Sequence, residues 1–147
     1  MKTLKTPITH LDGIKKLIPH REPMIMVDSL LECNDGKALV GFTILKDNIF
    51  LINDELLETG LIEHMAQAAA LYIGFKNYSE ERSAKEGFIA SIKSLKIEKL
   101  PKIGENMTTE VSIIHQIMHM STVKLSTVSN GIIIANAQMN TVLKEDE

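Results

Sequence analysis

Glu63 and Gln67 stand four residues apart, so a helix places them one turn apart on the same face, with His64 turned about 100° away from Glu63. They sit inside Leu56 to Lys76, LLETGLIEHMAQAAALYIGFK, the longest helix-forming run in the chain. Burying a carboxylate costs several kcal/mol unless it is hydrogen-bonded or paired. Glu63 therefore needs a partner, a wet cleft or a chemical role. Spacing alone leaves two readings level: a structural carboxylate bonded to Gln67 and backbone, or an acid–base group of a catalytic cleft.

The run that carries these residues has no broad polar face, and a helix that is apolar on nearly all sides is a buried one. It would extend ~30 Å, but its polar residues and the lack of basic flanks argue against a membrane span. Ala66, Ala68, Ala69, Ala70 and Gly74 let neighbouring backbone come close. Upstream, Thr9 and Asp12 before Ile14, Leu17 and Ile18 suggest a short capped helix that stops before Pro19. Met24 to Cys33 and Lys37 to Ile44 are β-rich runs around Asn34-Asp35-Gly36, a strong hairpin signal. Leu45 to Glu55 reads as irregular, with Asn53-Asp54 able to cap the long helix. NYSEERSAKE after it reads as a solvated connection. Strands are expected near Gly87 to Ile97, Met107 to Ile117, Met120 to Ser129 and Gly131 to Leu143. Antiparallel strands with a segregated helix make an α+β layout, and a curved sheet around one apolar helix would meet its demand for burial.

The 147 residues suit one domain over 1–147. A hydrophobic fraction of 44%, 24% charged residues and a net charge of -3 are ordinary for a soluble protein and offer no attraction to nucleic acid or anionic lipid. One cysteine excludes an intrachain disulfide framework, and the first residues lack the apolar core of a signal peptide, so a cytoplasmic setting is expected. Cys33 has no His or basic neighbour in sequence to make it a reactive thiolate. His115 and His119 lack a third ligand, and no metal site is expected.

Pro19-His20-Arg21-Glu22-Pro23-Met24-Ile25-Met26-Val27-Asp28 and Ile62-Glu63-His64-Met65-Ala66-Gln67-Ala68 resemble two signatures of the hotdog-fold 3-hydroxyacyl-acyl-carrier-protein dehydratases. They look like that family's entry into its first strand and its central helix. The second half, with Gly87 to Ile97, Gly104-Glu105 and Asn140-Thr141, is most similar to the aryl-polyene-type branch. The resemblance implies dehydration of 3-hydroxyacyl thioesters carried on phosphopantetheine, with no other cofactor. It implies an acyl carrier protein as partner and a homodimer or higher oligomer, each site drawing on two subunits. Glu63 falls on the family's helix carboxylate and Gln67 on the glutamine that supports it. Gly60 joins the supporting set at the helix N-terminus, where backbone N–H groups polarise the thioester carbonyl.

One position departs from the pattern. The family's catalytic His sits in a Gly-His-Phe-Pro segment ahead of the helix, and ungapped counting puts Asn48-Ile49-Phe50 there. Isoleucine cannot accept a proton. His20, near the tunnel mouth in this fold, is the substitute base, or else a turn histidine bonded to backbone before Pro23. For His64 a subunit-interface role is favoured over catalysis. Met24, Met26, Met65 and Met139 are read as core, with the lining of an acyl tunnel as the alternative. Three functions follow from these residues: a dehydratase, a non-catalytic subunit pairing with a second dehydratase, or a hotdog acyl thioesterase.

Overall fold

The computed structural model describes residues 4–80 and 87–144. Helix α1 (Leu11–Lys15) is followed by strands β1 (Ser29–Asn34) and β2 (Lys37–Thr43) and the two-residue strands β3 (Leu51–Ile52) and β4 (Glu55–Leu56). Next comes the 22-residue helix α2 (Glu58–Ser79), then β5 (Gly87–Ile97), β6 (Asn106–Ile117), β7 (Met120–Ser129) and β8 (Ile132–Leu143). Six strands form one antiparallel sheet in the order β1-β2-β6-β7-β8-β5, and α2 packs on one face of it.

Strand side chains alternate between faces, and the alternation here is clear. Ala38, Val40 and Phe42 on β2, Val123 and Leu125 on β7, and Ala137 and Met139 on β8 point inward and are buried with Leu61, Met65 and Leu71 of α2. Each such large side chain contributes about 1.5–3 kcal/mol. Register shifts in β1–β2, β6–β7, β7–β8 and twice in β5–β8 bend the strands, as a sheet that curves around a helix requires. This is the expected α+β hotdog arrangement.

The hairpin at Asp35-Gly36 forms as its sequence requires, with Gly36 at φ +85°. Two ties hold that turn to the helix: the Gly36 N–H donates to the Tyr72 hydroxyl at 2.9 Å, and Lys76 pairs with Asp35. Helix α2 starts two residues later than expected and runs three further, so Asn77 is a buried helical residue rather than part of a solvated connection. Residues 81–86 of that connection lie outside the described residues.

Two local expectations are corrected. Asn53 and Asp54 do not cap α2; at φ +53° and +63° they form the turn between β3 and β4, since Asn and Asp tolerate the left-handed region as well as capping. The N-cap of α2 is Leu57, which makes no side-chain cap. The cap of α1 is His10, whose Nδ1 accepts from the Gly13 N–H at 3.0 Å, rather than Thr9.

Candidate active site

Gln67 is fully buried, and its amide is used completely. Its Oε1 accepts from the Met26 N–H at 2.6 Å, and its Nε2 donates to the Met24 carbonyl at 2.8 Å and to Glu63 Oε2 at 2.7 Å. The same-face placement of Glu63 and Gln67 is thus realised as a bond. One side chain fastens the segment entering β1 to α2 and fixes the carboxylate one turn away. Glu63 is half-buried, and its Oε1 accepts no hydrogen bond among the described residues. That oxygen is available to a ligand.

A cavity of about 250 Å³ runs along this stripe of α2. Glu63, Ala66, Ala70 and Asn77 of α2 line it together with Leu17 and Ile18 of the segment before β1, Ile89 of β5 and Val142 of β8. His20 lines the same cavity, so the two residues that sequence singled out for chemistry border one space. Arg21 anchors the segment carrying His20: its guanidinium donates to the carbonyls of Lys15, Ile18 and His20 at 3.1, 2.9 and 2.6 Å. Gly74 lets that segment lie against α2, because a Cβ there would stand 2.0 Å from the Leu17 carbonyl oxygen.

His64 belongs to the interior. Its side chain is fully buried, with Nδ1 2.7 Å from the Met26 carbonyl and Nε2 2.8 Å from the Thr109 hydroxyl. A carbonyl only accepts, so Nδ1 carries the proton and Nε2 accepts from Thr109, which in turn accepts from Thr127 at 2.7 Å. Burial pulls its pKa down to about 4, against the opposing effects of the Met26 carbonyl and the Asp28 charge. A neutral imidazole with both nitrogens engaged is no base, and the expected subunit-interface role gives way to a core one.

At the departed position, Asn48 Oδ1 accepts from the Phe50 N–H at 2.8 Å and its Nδ2 lies 3.1 Å from Met26 Sδ, while Ile49 is exposed. Neither can take a proton. Gly60 fits closely under Phe50, whose Cβ would lie 2.6 Å from an added methyl, and its N–H donates to the Leu57 carbonyl at 3.0 Å. Met26, Met65 and Met139 are core as expected, but Met24 is exposed. Burial raises the Cys33 thiol to about 11. Among the described residues no three His, Cys, Asp or Glu side chains converge as metal ligands, and no helix is long and apolar enough to cross a membrane.

Sequence reasoning missed Thr141. It lines the cavity from β8, and its buried hydroxyl forms no hydrogen bond among the described residues. The available signal was a hydroxyl residue in the inward-facing row of Ala137 and Met139.

The family model described as ApeP dehydratase matches residues 13–147. The chain belongs to the ApeP-like dehydratase family. This ApeP-like chain is also 30% identical to the 3-hydroxyacyl-[acyl-carrier-protein] dehydratase FabZ of Bacillus thuringiensis over 110 residues, 71% of the chain and 74% of that protein. Among solved structures it is similar to the dehydratase heterocomplex ApeI:P from Xenorhabdus doucetiae, with a TM-score of 0.85 and 17% identity over 90% of the chain and 91% of the other. A hypothetical thioesterase solved with coenzyme A from Streptococcus pneumoniae TIGR4 has a TM-score of 0.61 and 12% identity over 80% and 86%. At those identities the structural likeness speaks to the fold.

Proposed function

We propose that this ApeP-like chain is a dehydratase subunit acting on 3-hydroxyacyl thioesters delivered on the phosphopantetheine arm of an acyl carrier protein, without a further cofactor. The observation that carries the reading is the Glu63 carboxylate, held by Gln67 at the wall of an otherwise mostly apolar cavity that also takes in His20. In this reading an imidazole removes the α-proton, the electron pair forms the new C=C bond, and protonated Glu63 lets the hydroxyl leave as water. Gln67 keeps Glu63 aimed, while Gly60 packs the helix start against Phe50.

His20 is the base that this chain itself can offer. A second reading is favoured by one observation, the absence of any titratable side chain at Asn48-Ile49-Phe50. A second dehydratase subunit would then supply the base to a shared site, and this chain would bring the fold and the carrier contacts. The dehydratase heterocomplex ApeI:P, the structural neighbour noted above, lends that arrangement support. A cytoplasmic setting fits both readings.

The test is hydration of a trans-2-enoyl thioester, the reverse reaction, by the purified chain and by the chain co-expressed with a second dehydratase. Turnover by the chain alone, lost in His20→Gln, supports the in-chain base. Turnover only in a mixed oligomer supports the shared site. Free thiol release without hydration in either preparation would replace both readings with a thioesterase.

A further inference from the structure

Alternation along the strands gives the sheet a second face, turned away from α2. At one end of that face Phe88, Val142, Met120 and Ile117 are direct cross-strand neighbours on β5, β8, β7 and β6. Phe88, Met120 and Ile117 are exposed, and Met118, in the turn that joins β6 to β7, is 88% exposed. A contiguous exposed apolar row of this kind marks a contact surface. It also adjoins the cavity, because Phe88 and Val142 line that space as well.

The next row on the same face holds Ser91, Asn140, Thr122 and His115. The Thr122 hydroxyl donates to Asn140 Oδ1 at 2.7 Å, and Asn140 Nδ2 donates to the Ser91 hydroxyl at 2.8 Å, which ties these side chains together across three strands. Beyond them come Lys93, Gln138, Lys124 and Ser112. Lys93 and Lys124 are exposed, and neither has an ion pair among the described residues. No carboxylate stands in any of the three rows, although the chain holds 19 Asp and Glu. In a protein of net charge -3 this face is therefore locally cationic.

Charge and shape together select the occupant. A second copy laid face to face on these rows would set lysine against lysine. An acidic helix with an apolar stripe meets both features. It is about 10–12 Å across, and the lysine row lies ~13 Å from the apolar row along β7 and β8. A helix lying along the apolar row would hold one flank over Lys93 and Lys124. We propose that this outer face docks the acyl carrier protein, through a carrier helix with an apolar stripe and a flank of carboxylates. The inference rests on the acyl-thioester reading above and adds where the carrier sits, beside Phe88 and Val142, the two residues that the outer face shares with the cavity.

The experiment is calorimetric titration of the full-length protein with two probes: an acyl-pantetheine amide free in solution, an inert analogue of the thioester, and an acyl carrier protein bearing the same amide on its arm. Lys93→Glu combined with Lys124→Glu should weaken the carrier-borne probe roughly tenfold and leave the free probe unchanged. Met118→Asp should act in the same direction. Raising the ionic strength should weaken the carrier-borne probe more with the parent protein than with the double variant. Equal affinity of parent and variants for the carrier-borne probe overturns the inference. So does a carrier affinity that holds while the variants lose sedimentation with phosphatidylglycerol vesicles, or lose self-association, since the face would then belong to a lipid surface or to a second copy. Failure of the free probe to bind the parent protein contradicts the thioester reading itself.

Discussion

His64 shows how much a single residue's meaning depends on what lies far away in sequence. Its position beside Glu63 invites a chemical reading, but its partners are the Met26 carbonyl and Thr109, 38 and 45 residues distant. No local pattern reveals them. The pair that was legible, Glu63 and Gln67, was so because helical periodicity alone fixes their relation. Thr141 fell between: alternation could place it inward, but only coordinates reveal that its hydroxyl lacks a partner. For His64 the pKa of about 4 lies below the 6.5 of an unstructured histidine, so the unfolded chain binds more protons between those values. Stability should therefore be fully present above about pH 6.5 and fall as the pH drops toward 4, by up to about 3 kcal/mol. Urea denaturation at pH 7 and pH 4.5 measures this. His64→Gln should be less stable at pH 7 and show a shallower fall, and an identical pH slope in both proteins would remove His64 as the cause.

At the scale of elements, the long helix, the hairpin and the four following strands were visible because periodicity, Asp-Gly and β-rich runs each have one local solution. The junctions were not. Asn53-Asp54 satisfies both the requirements of a cap and those of a left-handed turn, and the choice is set by pairing between β3 and β4 and by the Leu56 N–H bonding the Pro101 carbonyl at 2.9 Å. Two contacts decide how the segment before β1 sits on α2. Gly74→Ala would drive a methyl into the Leu17 carbonyl, so we expect a loss of about 1–3 kcal/mol by chemical denaturation, or a shift of the Leu17–His20 segment visible as altered His20 resonances. Gln67→Leu strips partners from the Met26 N–H and the Met24 carbonyl and should cost at least about 2 kcal/mol. If either variant matched the parent in both stability and spectrum, the segment would not be held as described.

The whole molecule leaves one sheet edge conspicuously open. Among the described residues β5 pairs only with β8, and Phe88, Ile89, Ile92 and Leu95 along it are exposed large apolar residues. A long apolar edge is a template for pairing with another chain. We expect the protein to sediment as a dimer or larger assembly, homomeric or with a second dehydratase, and Ile89→Lys with Ile92→Lys to shift it toward monomer. A monomeric parent protein in every preparation would contradict this. Because Ile89 also lines the cavity, loss of assembly and loss of thioester binding should appear together.

The most direct measurement compares Glu63→Gln with the parent protein for enoyl-thioester hydration, in whichever assembly the parent is active. Glutamine keeps an oxygen to accept from Gln67 Nε2, so the urea midpoint should not move, while the rate should fall by at least about a hundredfold. A parent-like rate from that variant would mean that the carboxylate braces the helix and takes no part in the chemistry.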